Sequence, residues 1–167
     1  IEGCEFNQCI GQSIKVATPS ESNEEVNINE NKFIKCYHNI GNKPTAIGIG
    51  SNTDSIGLII NGNFFENCAN ANTDSILILL KVDTLPIEQN SDAIQIINNE
   101  INYEPVKSIQ YSQLGIKASQ ANRDIEIRDC SFTNSYKLDE IPWANSIDLN
   151  KFNHIEITKC TFTRCGY

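Results

Sequence analysis

Ile125-Glu126-Ile127-Arg128-Asp129-Cys130-Ser131-Phe132-Thr133-Asn134-Ser135 is a sentence that this chain writes again and again. It returns as Ile155-Glu156-Ile157-Thr158-Lys159-Cys160-Thr161-Phe162-Thr163-Arg164-Cys165, and the chain opens inside another copy, Ile1-Glu2-Gly3-Cys4-Glu5-Phe6-Asn7-Gln8-Cys9. Looser copies run from Ile28 to Cys36, from Ile60 to Cys68 and from Ile96 to Ile101. Phe6, Phe33, Phe65, Ile101, Phe132 and Phe162 hold the same place in successive copies, spaced by 27, 32, 36, 31 and 30 residues. A constant sentence at variable spacing predicts units of constant cross-section joined by loops of different length.

The phase of alternation inside the sentence is its most informative detail. Ile125 and Ile127 share one parity, whereas Cys130 and Phe132 share the other. A strand has period two, so both pairs face one core only if the chain turns a corner at Arg128-Asp129. The same corner falls at Glu2-Gly3, Asn29-Glu30, Asn61-Gly62 and Ile97-Asn98, where Asn, Asp and Gly supply residues tolerant of a left-handed backbone. Upstream of each copy lies a further short apolar run, at residues 13–16, 46–49, 75–80, 114–118 and 146–149. None of these runs carries an apolar stripe at helical spacing. Each unit is therefore expected to hold three short strands, and the fold class is all-β, with about five units and little or no helix.

Stacking such units makes definite claims. Phe6, Phe33, Phe65, Ile101, Phe132 and Phe162 are expected to form one inward ladder, each burial worth about 1.5–3 kcal/mol. Cys4, Asn31, Asn63, Asn99, Cys130 and Cys160 are expected to form a second, with thiols at the ends and amides in the middle. Buried amides need bonds along the stack, at about 1 kcal/mol net apiece. Cys9, Cys36, Cys68 and Cys165 make a third file, expected to be free buried thiols because parallel stacking holds the sulfurs a row apart.

The Asn-bearing corners and the Ile-x-Ile…Cys/Asn-x-Phe sentence resemble the right-handed parallel β-helix, or pectin-lyase-like, superfamily over essentially the whole chain. The short Phe-x-x-Asn-type repeats, seen at Phe6 to Cys9, Phe65 to Cys68 and Phe132 to Ser135, are more distantly similar to those of bacterial polymorphic outer-membrane proteins. Their companion Gly-Gly-Ala-Ile motif is absent here. The resemblance implies a right-handed parallel β-helix solenoid at the surface of a cell or outside it. Residues 1–167 read as one domain, a piece of a longer repeat open at both ends.

Composition narrows the function. The 167 residues carry a formal net charge of −8 and are 40% apolar, with Ile and Asn overused and Met absent. An acidic chain lacks the basic patch that nucleic acid or an anionic membrane surface needs. No apolar run approaches the length of about 18 residues that spans a membrane. Seven cysteines exclude a complete set of internal disulfides, no CxxC pair occurs, and the Cys and His spacing does not suit zinc. No metal or other cofactor is expected.

The superfamily includes polysaccharide lyases and hydrolases, so an enzyme has to be weighed. Asn52-Thr53-Asp54 and Asn72-Thr73-Asp74 resemble the polygalacturonase Asn-Thr-Asp signature, with Asn90-Ser91-Asp92 nearby. That family's paired Asp, His-Gly and Arg-Ile-Lys companions are missing, and glycoside hydrolysis needs two opposed carboxylates. Asn and Asp opening a strand are ordinary turn residues. A lyase-type calcium site would need several acids on neighbouring rows, and only Glu126 and Glu156 align. His38 and His154 lie in different units without a matching nucleophile. No catalytic residue is assigned. Tyr37, Tyr111, Tyr136 and the single Trp143 all map to the connections after the third strand, with Tyr103 and Tyr167 at their entrances. Such an aromatic edge is suited to stacking on sugar rings or anchoring a protein. The expected function is a non-enzymatic scaffold for adhesion or recognition. A polysaccharide-active enzyme and a structural part of a filament, stacking end to end on like units, are the alternatives.

Overall fold

The computed structural model of the protein describes residues 1–10, 13–16, 25–36, 46–49, 57–68, 75–81, 94–103, 113–119, 123–134 and 146–165. These form three sheets of parallel strands. The first sheet contains β1 (Glu5–Asn7), β4 (Lys32–Ile34), β7 (Phe64–Glu66), β10 (Glu100–Asn102), β13 (Ser131–Thr133) and β16 (Thr161–Thr163), in that order. The second contains β2 (Ile14–Val16), β5 (Ile47–Ile49), β8 (Ser75–Lys81), β11 (Gln113–Ser119) and β14 (Ile147–Asn150). The third contains β3 (Val26–Asn29), β6 (Leu58–Asn61), β9 (Ile94–Ile97), β12 (Asp124–Arg128) and β15 (His154–Thr158). Sheet neighbours are always three strands apart in the chain. No helix occurs among the described residues.

Register follows the repeated sentence. Phe6 pairs with Phe33, Phe33 with Phe65, Phe65 with Ile101, Ile101 with Phe132, and Phe132 with Phe162. The second sheet aligns Ile14, Ile47, Ile78, Ile116 and Ile147. The third aligns Ile28, Ile60, Ile96, Ile127 and Ile157. Residues from all three files meet in a single apolar core. Parallel sheets bury their strands in this way because branched side chains one row apart, about 4.8 Å, pack on their own kind. The rings of Phe6, Phe33 and Phe65 accordingly stack at 4.9 and 4.8 Å, within 6° of parallel. Gly115 lets the second sheet approach the first, since a Cβ there would sit 2.7 Å from Cε1 of Phe132.

Two kinds of corner are left-handed, the second in every unit but that of β10, where Tyr103 takes the place. Between the third and first sheets, Gly3, Glu30, Gly62, Asn98, Asp129 and Lys159 have φ between 52° and 67°. After the first sheet, Gln8, Lys35, Asn67, Asn134 and Arg164 have φ between 51° and 54°. Only some of these are the Gly, Asn or Asp expected from the sequence. A left-handed residue with a Cβ costs about 1–2 kcal/mol. Part of this is offset by a ladder bond, because each corner amide before the last unit donates to the unit that follows: Glu30 N to Asn61 O at 2.9 Å, and Lys35 N to Glu66 O at 2.9 Å. The corner thus accepts Glu and Lys as well as Gly.

The ends correct one expectation. Phe33, Phe65, Ile101 and Phe132 are fully buried, but Phe162 is 48% exposed and Phe6 is half-buried. Cys4 is exposed and Cys160 half-buried. Both ladders are inward in register, yet a terminal row has a neighbour on one side only, so its inward face stays partly wet.

Candidate functional site

The most organised polar feature lies at the corner between the third and first sheets. Asn31, Asn63 and Asn99 are each 1% exposed. Asn31 Nδ2 donates to Asn63 Oδ1 at 3.0 Å, and Asn63 Nδ2 to Asn99 Oδ1 at 3.0 Å. Each Oδ1 also accepts a backbone amide: Cys4 N on Asn31, Asn31 N on Asn63, and Asn63 N on Asn99, all at 3.0 Å. The amides meet the requirement that buried polar groups be paired.

Cysteine and asparagine interchange in this file because both donate to the same row of carbonyls. Asn63 Nδ2 reaches Ile28 O at 2.9 Å and Asn99 Nδ2 reaches Ile60 O at 2.8 Å. Cys130 Sγ reaches Ile96 O at 3.4 Å and Cys160 Sγ reaches Ile127 O at 3.7 Å. The thiol keeps the donor and offers a weaker acceptor, Cys130 Sγ taking Asn99 Nδ2 at 3.9 Å. Burial pushes the Cys130 thiol up to about 11 and raises that of Cys160 as well.

The third file behaves alike. Cys36 Sγ donates to Phe6 O at 3.1 Å, Cys68 Sγ to Phe33 O at 3.3 Å, and Cys165 Sγ to Phe132 O at 3.2 Å. Cys36 N also donates to Cys68 Sγ at 3.4 Å. Its hydrogen bonding with Cys36, followed by burial, holds the Cys68 thiol well above its ordinary range. All seven cysteines are free thiols. A buried, protonated thiol is a poor nucleophile, so Cys68 and Cys130 are packing groups.

On the outer face, Glu126 and Glu156 occupy paired positions on β12 and β15. Glu126 is held from the side by Arg128, whose Nε donates to Oε1 at 2.8 Å and whose Nη1 donates to Asp129 at 2.8 Å. Gln95 Nε2 reaches the other oxygen of Glu126 at 3.5 Å. The two carboxylates stand side by side on one face, where they do not flank a substrate bond from opposite sides as hydrolysis requires. Among the described residues, no group of three or more His, Cys, Asp or Glu is placed to hold a metal ion. Nor is there among them a helix long and apolar enough to cross a membrane.

Tyr37, Tyr111, Tyr136 and Trp143 lie outside the described residues, as do Tyr167, His38 and the three Asn-Thr/Ser-Asp stretches. Tyr103 lies within them and is 3% exposed, its carbonyl accepting Asn134 Nδ2 at 2.7 Å. It is a core residue. His154 is exposed at the start of β15, paired in register with Asp124. Two features escaped the sequence reading. One is the second left-handed corner, signalled by a polar residue two places after the Phe anchor in Gln8, Lys35, Asn67, Asn134 and Arg164. The other is the ion pair between Lys117 Nζ and Asp148 at 3.3 Å across β11 and β14. Comparison with protein-family models, with curated proteins and with solved structures finds no match for this chain.

Proposed function

We propose that the three sheets are the faces of a right-handed parallel β-helix, of the pectin-lyase-like kind, and that it serves as a non-enzymatic scaffold at a cell surface or outside the cell. The observation that carries this reading is the step of three in every sheet order. A chain that visits three parallel sheets in rotation, returning each time one row further on, is winding, and parallel crossovers are right-handed in nearly all cases. The described inward positions are spent on packing and on the amide and thiol files. On the outer face Glu126 and Asp129 are held by Arg128 and Asp148 by Lys117, which supports a surface without acid–base chemistry.

Recognition then falls to the connections after the first-sheet strands, which carry Tyr37, Tyr111, Tyr136 and Trp143. Flat rings suit a glycan or an extended protein segment. The test is a glycan array and a pull-down with Tyr136→Ala and Trp143→Ala. Loss of binding at an unchanged melting temperature supports recognition by these rings. Unchanged binding with a lowered melting temperature shows that they only pin loops. Incubation with polygalacturonate and related polymers is the second arm, and release of reducing or unsaturated ends would overturn the non-enzymatic reading.

A further inference from the structure

Three thiols stand in three consecutive rows of the stack. Past the left-handed corners at Gln8, Lys35 and Asn67, the register of β1, β4 and β7 carries on to Cys9, Cys36 and Cys68. Each sulfur meets the carbonyl two residues before it: Cys9 that of Asn7 at 3.9 Å, Cys36 that of Ile34 at 3.4 Å and Cys68 that of Glu66 at 3.5 Å. One side-chain conformation is therefore repeated, and each sulfur is its predecessor moved along by a row. For Cys9 and Cys36 that row is the step from Phe6 to Phe33, whose rings stack at 4.9 Å.

That step decides what two such sulfurs can hold between them. A disulfide needs them about 2.05 Å apart, less than half a row. Zinc needs four donors, and among the described residues no group of three or more His, Cys, Asp or Glu is placed to supply them. Two metal–thiolate bonds of about 2.3 Å laid in line span about 4.6 Å, close to one row. Two donors in line suit a soft monovalent cation with a closed d shell, and thiolates select Cu(I). Ser13 adds a separate observation: its Oγ is buried without a hydrogen-bond partner, yet lies within reach of the sulfurs of both Cys9 and Cys36. A hydroxyl so placed is a donor for the negative charge that two thiolates and one monovalent cation leave behind. The pairs Cys36 with Cys68 and Cys130 with Cys160 also stand one row apart, and neither has another such hydroxyl among the described residues. We propose that Cys9 and Cys36 hold one Cu(I) ion in line between their sulfurs, with Ser13 donating to the thiolates. Binding releases two thiol protons for one cation and changes no oxidation state. The site needs only these two rows, whatever lies beyond them, and stands apart from what the loops bind.

Titration of the reduced chain with the Cu(I) bicinchoninate complex, free of oxygen, tests this. Refolding the chain from urea with the complex present removes any barrier to entry. The expected result is one tightly bound copper per chain, with two sulfur neighbours in its X-ray absorption spectrum. A chain that withdraws no copper overturns the proposal, and so does copper with three or four sulfur neighbours. Cys9 is half-buried, so Cys9→Ser should melt with the parent in the absence of copper. It should lower the affinity by at least about a hundredfold, and Ser13→Ala by about tenfold. The melting temperature of the parent should rise with Cu(I), while that of Cys9→Ser should not. Cys160→Ser should bind copper as the parent does. Tight binding retained by Cys9→Ser, or lost in Cys160→Ser, would place the ion on other thiols and sink the assignment.

Discussion

Ile125, Ile127 and Phe132 are at most 1% exposed, while Ile155, Ile157 and Phe162, written in the same sentence one unit later, are 44%, 45% and 48% exposed. The backbones agree: β12 pairs residue for residue with β15, and β13 with β16. What differs is that the inner unit has a neighbour on each side and the last has one. Burial here is a property of the stack and not of the string, so identical residues should carry unequal shares of stability. The largest consequence is at the anchor. Phe132→Ala should destabilise by about 3–5 kcal/mol, and Phe162→Ala by about 1 kcal/mol. Urea denaturation of the two variants measures the gap, and equal costs would break the comparison.

The polar file should show the same asymmetry. Asn63→Ala removes the acceptor of two bonds from Asn31 and the donor to Ile28 O, leaving a buried amide without a partner. The expected cost is about 2–4 kcal/mol. Cys160→Ala removes two weak thiol contacts at the wet end, to Ile127 O and Thr158 O, and should cost less than about 1 kcal/mol. Asn63→Cys sharpens the argument, because it keeps the donor and weakens the acceptor, as Cys130 does beneath Asn99, and should fall between the two. An Asn63→Cys variant as stable as the parent would mean that the Oδ1 bonds contribute nothing.

Much of this was legible because the repeat encodes the files directly. Parity around Arg128-Asp129 implied a corner, and the anchors at Phe6, Phe33, Phe65, Ile101, Phe132 and Phe162 implied the register. The second corner was harder to read, since Gln8, Lys35 and Arg164 have no left-handed preference as residue types. At Gln8 and Lys35 a ladder bond from the corner amide offsets the cost, and that bond exists only once units are stacked. End exposure escaped for a related reason: a string does not say which of its copies has neighbours. The aromatic loop residues lie beyond the repeated sentence, so the repeat names the connection that carries each of them and says nothing of how that connection runs.

Alkaline pH offers a further contrast between the inner and outer thiol. Cys130 titrates near 11 in the folded chain against 9.0 ordinarily, so above pH 9 the unfolded chain releases this proton first. Its contribution is therefore complete below pH 9 and lost as pH rises from 9 towards 11, on the order of 2–3 kcal/mol in all. A Cys130→Ala variant should lose less stability than the parent across that window. Parallel losses would mean that the Cys130 thiol is not held protonated by its burial. Cys160, raised in the same direction but half-buried, should contribute a smaller change, and Cys160→Ala should track the parent closely.

The smallest effect concerns the outer face, where the two units differ in sequence and burial differs less. Arg128 bridges Glu126 and Asp129, whereas the paired position in the last unit is Thr158, with no guanidinium to offer. Both Arg128 contacts are short, and a contact count would rank them among the stronger interactions of the surface. Yet the guanidinium stands in water, which screens the attraction, and the long side chain must be ordered to make it. Arg128→Thr, which writes the outer face of the last unit onto the inner one, should leave the urea midpoint within replicate scatter at physiological salt. The Glu126 and Asp129 carboxylates would then be left beside Glu156 without their cation, so any loss should emerge only as salt is lowered. A loss that persists in high salt would show that the Arg128 stem packs on the sheet and that the inner unit owes part of its stability to its outer face. That outcome would confine the contrast between the two units to something broader than the inward files. An unchanged midpoint would leave those files, Phe132 and Asn63 foremost, as the place where the difference between the two copies resides.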